Sequence, residues 1–158
     1  MSLLSIVRIG IEAAIEQERP AAIKAWGEST NDVLDALMAF PDALEVLTDL
    51  EWSESCPVQV RALLPTVASY VLRTEDLIPA RDGAILQGST DDAYMTFTAA
   101  LMAETYLPAD TVSVYETHRS ALAAVLTREI REQLDEQVFS AVRAIQSATA
   151  TNDGTREL

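Results

Sequence analysis

From about Asp110 to Ala148 the chain carries neither glycine nor proline, and its apolar residues keep helical spacing throughout. Val114, Leu122, Val125, Leu126, Ile130, Leu134, Val138, Val142 and Ile145, with His118 among them, recur mostly three or four positions apart. That interval places side chains on one face of an α-helix. About 38 residues of helix at 1.5 Å per residue would span roughly 57 Å. A compact domain of 158 residues has a radius of gyration of roughly 15 Å and so a diameter of about 40 Å. The segment must therefore overhang the domain, break where no breaker residue stands, or pack on another chain.

The rest of the chain reads as shorter helices. Ser2 is placed to cap a first helix with Leu4, Val7, Ile11, Ala14 and Ile15 on one face, and Ile6 and Ile9 widen that stripe towards a docking surface. Pro20 should end it, because the residue before a proline avoids the α region. A short helix should then run from Pro20 to Trp26 and stop at Gly27. After the capping run Ser29–Asp32, Val33, Leu34, Leu37 and Met38 return at helical spacing. Pro41 should break or kink that helix, which resumes through Leu44 and Leu47 to Trp52. Beyond a connector ending at Pro57, Val60, Leu63, Leu64, Val67, Ala68 and Val71 form a stripe broad enough for a central helix, with a kink or restart at Pro65. Asp91 or Asp92 should cap the next helix, whose apolar positions are Tyr94, Phe97, Leu101 and Met102. No strand pattern or repeat appears. The expectation is an all-α bundle of five to seven helices in one domain, residues 1–148, with one long C-terminal helix and a flexible tail over 149–158. Trp26, Trp52, Met38, Met95 and Met102 are expected in the core.

Charge narrows the function. Eleven basic against twenty-five acidic residues give a formal net charge of −14, which repels phosphate backbones and anionic membrane surfaces. Nucleic acid is disfavoured; basic proteins and cations are favoured. One histidine and one cysteine cannot build a zinc cluster of those ligands, and neither a glycine-rich phosphate loop nor a Gly-x-Ser-x-Gly elbow is present. Cys56 reads as a small hydrophobe in a reducing compartment. With no secretory signal and no apolar run of the roughly 18–20 residues that a membrane span needs, a cytoplasmic location is expected.

One stretch is not explained by helix packing. Between the helices, residues 74–90 form a loop of about 15 residues, against the usual connection of about 4–6. Asp76, Asp82, Asp91 and Asp92 fall within 17 residues there. Oxygen ligands clustered on a loop suit magnesium or calcium. The structural alternative gives Asp76 an Asx-turn before Pro79 and Asp91 or Asp92 a helix cap; it is the preferred reading, and the spacing is not that of an EF-hand. His118 reads as a partly buried helix histidine before it reads as a general base. Glu116 and Arg119, with Arg128, Arg131, Glu132, Asp135 and Glu136, make a charged surface on the last helix, where a role would lie in choosing a partner.

Tyr70 through Pro79, followed by Gly88-Ser89-Thr90-Asp91-Asp92-Ala93, resembles the YkvA-like domain of bacterial proteins. That domain pairs an Asp-x-Ile-Pro-Asp motif with Gly-x-x-Asp-Asp. The signature spans 70–93 and the likeness about 62–93. Ala80 stands where the family carries its second aspartate, and Asp82 follows two positions on. The resemblance implies a helical fold with an acidic loop and names no reaction. Three readings follow. The first is a non-enzymatic module that self-associates or binds a protein partner through the C-terminal helix. The second is a divalent-cation-dependent enzyme or cation-binding domain using the acidic loop. The third is an acidic, antitoxin-like inhibitor that masks a basic partner.

Overall fold

A computed structural model describes residues 3–71 and 85–156. Every regular element among them is helical, as the 3–4 periodicity requires. The elements are α1 (Leu3–Trp26), α2 (Thr30–Glu51), α3 (Val58–Arg61), α4 (Leu63–Val71), α5 (Ile85–Gly88), α6 (Thr90–Met102), α7 (Ala109–Val125) and α8 (Arg128–Arg156). Five of these are thirteen residues or longer. Short 3-10 turns follow α1 and α6.

Prolines decide less than expected at two sites and as much as expected at a third. Pro20 lies inside a long N-terminal helix of 24 residues instead of ending it; its ring is exposed, so packing of the flanking turns outweighs one lost hydrogen bond. Gly27 is the true stop, at φ 57°, the left-handed conformation that glycine adopts without steric cost. Pro41 likewise sits buried within a continuous α2. Pro65 marks a restart: α3 ends, Ala62 intervenes, and Pro65 falls in the first turn of α4, where backbone N–H groups have no intrahelical acceptor to lose.

The long C-terminal helix is corrected. It breaks after Val125, where Leu126 is extended at φ −96°, ψ 146°, and α8 starts afresh. The Thr127 hydroxyl accepts the Ile130 N–H at 3.2 Å, capping the new helix. Of the three outcomes that length allowed, the chain takes the unsignalled break.

The central helix is α6, not the segment around Val67. It packs against α2, α4, α5, α7 and α8, and Ala93 through Ala100 are all buried. Its polar side chains are compatible with that because each finds a partner. Thr96 and Thr98 donate to the carbonyls of Asp92 and Tyr94, four residues back, at 2.8 and 2.9 Å. Around it lie Val33, Leu37, Leu47, Leu63, Leu122, Leu134 and Val138. Burying such side chains contributes about 1.5–3 kcal/mol each relative to exposure. Two aromatic and methionine expectations fail: Trp52 is 79% exposed and Met38 lies at the surface, whereas Met95 is in the core and Trp26 packs against it. Ile6 and Ile9 also face outward, leaving Leu4, Val7, Ile11, Ala14 and Ile15, with Ala22, to dock α1.

Candidate functional site

The four candidate metal-loop positions have three different fates. Asp76 and Asp82 lie outside the described residues. Asp91 is fully buried in the first turn of α6, where its carboxylate accepts the Tyr70 hydroxyl at 2.7 Å and the Asp92 N–H at 2.9 Å. It ties α4 to the positive end of α6 and is an internal anchor; the residue preceding α6 is Ser89, so neither aspartate is the cap itself. Asp92 follows it, half-buried. Among the described residues no group of three or more His, Cys, Asp or Glu side chains is arranged to hold a metal ion.

The charged face of α8 divides by environment. Arg128 pairs with Glu132 at 2.7 Å, and Arg143 pairs with Glu136 at 2.7 Å, all four side chains standing in solvent. Glu136 is held below the usual carboxylate range by the Ser140 hydroxyl and then by Arg143. Asp135 instead turns inward. It accepts Arg119 of α7 at 2.9 Å and the Tyr94 hydroxyl of α6 at 3.0 Å. Arg119 also donates to the Tyr94 hydroxyl at 2.7 Å and to Thr98 at 2.8 Å, while its guanidinium lies 4.8 Å from the Tyr94 ring centre. Burial raises the Tyr94 pKa, with Arg119 opposing and Asp135 assisting, so the phenol stays a donor. This network clamps three helices at one seam. Arg131 reaches the same region with its Nε buried and no hydrogen-bond acceptor for that atom among the described residues.

A second feature of α7 is a surface it shares with α2. Between the start of α2 and the outer face of α7 runs an open groove of about 580 Å³. Its walls carry Asp32 and Asp35 from α2 and Glu116 from α7, with no lysine or arginine in the lining among the described residues; Ala121 and Ala124 add apolar surface. His118 also lines the groove. It is half-buried, its ring 5.3 Å from Phe97. Burial lowers its pKa, and the nearby Asp35 carboxylate opposes that shift. At neutral pH the groove therefore presents three carboxylates and a neutral imidazole. It can take cationic groups and hydrogen-bond donors, and among the described residues it offers no fixed cation to an anionic ligand.

Sequence reasoning placed Glu116 only in the general charged surface of the long helix and gave Asp32 and Asp35 no binding role, because the spacing within each helix shows only ordinary exposed charge. The groove exists because α7 packs on α2, a pairing that no local pattern displays. Glu18 was missed for a similar reason. It is buried, and its Oε1 accepts the Leu86 N–H at 3.1 Å, closing the start of α5 from 68 residues away.

Compared with protein-family models, with curated proteins and with solved structures, the chain finds no match.

Proposed function

We propose that this chain is a non-catalytic helical interaction module, acting in the cytoplasm, that seats a basic segment of a partner protein in the groove between α2 and α7. One observation carries the reading: a groove of about 580 Å³ walled by Asp32, Asp35 and Glu116 with no lysine or arginine among the described residues of its lining. Carboxylates spread along a groove suit a row of cationic side chains, whereas a single metal ion requires oxygens converging on one point. The net charge of −14 adds long-range attraction for such a partner and speeds encounter. The third class of reading, an acidic protein masking a basic surface, is this activity described from the partner's side.

Fluorescence anisotropy with a labelled nine-residue oligo-arginine peptide tests it. Wild-type protein should bind with an affinity that falls as salt is raised. Asp32→Lys with Glu116→Lys should weaken binding at least tenfold at low salt, while Glu132→Lys with Glu136→Lys on the outer face of α8 should weaken it much less. Equal losses in the two double variants would mean that net charge alone attracts the peptide, and the groove assignment would fall.

A further inference from the structure

We propose that α7 and α8 can join into one continuous helix, delivering α8 to a second copy of this chain in an exchanged dimer. The proposal stands apart from the groove.

The first support is the nature of the break. No glycine or proline lies between Pro108 and Gly154, so nothing in the covalent chain prevents Leu126 and Thr127 from being helical. The bend rests on context. Leu126 is buried, Thr127 caps Ile130 through its hydroxyl, and Asp135 is held by Arg119. In a straight helix those two residues, 16 positions apart, would stand about 24 Å apart along the axis; here their side chains are in contact at 2.9 Å. The clamp is thus a direct measure of the bend.

The second support is what α8 leaves and what it finds. Its apolar face, Leu134, Val138 and Val142, is buried against α3, α4 and α6. An α8 swung outward could not stay exposed, because that stripe would be in water. A surface already shaped for it is the vacated site of another copy, where Arg119 of one chain would meet Asp135 of the other. Every contact of α8 is then regained between chains, and the difference between monomer and dimer reduces to the hinge and to concentration. A short hinge between elements that favour continuity invites this exchange. Straightening removes the Thr127 cap and restores the helical hydrogen bonds that the bend interrupts.

Two substitutions bias the hinge in opposite directions. Thr127→Ala removes the cap and places the strongest helix former at the bend. Arg128→Pro puts proline at the first position of α8, where it is favoured, and penalises a helix running through it, which would lose a backbone hydrogen bond and crowd the preceding turn without the flanking packing that carries Pro20 and Pro41. After refolding at millimolar concentration, light scattering on a sizing column should show a dimer fraction for wild type. That fraction should rise several-fold in Thr127→Ala and vanish in Arg128→Pro, which should fold as a monomer. Chains spin-labelled at exposed positions 120 and 136, diluted into unlabelled protein, should show an intrachain distance near 24 Å in the dimer and a shorter one in the monomer. A dimer that persists in Arg128→Pro, an unchanged label distance, or no dimer in wild type or Thr127→Ala overturns the proposal.

Discussion

The two faces of α8 carry the same residue types and do different work. On the outer face, Arg128 and Glu132 meet 2.7 Å apart with side chains 84% and 64% exposed. On the inner face, Asp135 meets Arg119 at 2.9 Å with the pair 26% and 32% exposed, and Tyr94 and Thr98 complete the network. Water can replace either member of the outer pair. At the seam it replaces them poorly, because α6, α7 and α8 converge there. Ion-pair distance is nearly the same in both places, so distance does not rank them; surroundings do.

The largest expected effect is therefore at the seam. Asp135→Leu leaves Arg119 and the Tyr94 hydroxyl without their shared acceptor, and urea denaturation should register a loss of about 2–3 kcal/mol, the scale for stranding partly buried charged partners. Adding Arg119→Leu should recover part of that loss, since the stranded cation is then gone. A loss below about 0.5 kcal/mol in the single variant would place the seam with the outer face and dissolve the contrast.

How far the sequence foretold this contrast depends on which forces are local. Helix class was plain from spacing, and so was the excess length of the 110–148 segment. Its break was not, because it depends on Arg119 meeting Asp135 across the bend and on Leu126 finding a buried site. Asp135 was grouped with Arg128, Glu132 and Glu136 because all four look alike in a list of charges; only the packing of α6 separates them. The burial of α6 was hidden for the same reason, since Thr96, Thr98 and Asp91 look like surface residues until their hydrogen bonds are seen. Trp52 misled in the other direction: large apolar size argued for burial, yet it stands at the end of α2 beyond the last core turn.

An intermediate effect should come from His118, which is neither at the seam nor in open water. Burial depresses its folded-state pKa below the ordinary value of 6.5, with Asp35 opposing. The unfolded chain then binds the proton more readily than the folded one. The contribution of the neutral, buried imidazole is fully present above about pH 6.5 and is lost as pH falls through the lowered folded value. Denaturation midpoints taken at pH 8 and pH 5 should show a larger acid loss in wild type than in His118→Gln. Identical pH profiles would mean that the ring is solvated like a surface group and that the inner–outer distinction does not extend to α7.

The smallest effect should be on the outer face. Glu132→Ala removes the partner of Arg128, and the guanidinium, which the Glu132 carboxylate holds even more firmly protonated than usual, simply returns to water. The pair closes one helical turn at i,i+4 near the start of α8, where a carboxylate is also favoured by the helix dipole, but salt and solvent screen both attractions. Urea midpoints for Glu132→Ala and wild type should coincide within error at 0.15 M salt. A measurable drop would show that the outer pair helps to hold the first turn of α8 against the break at Leu126, making the hinge, and not burial alone, the feature that ranks charges along this helix.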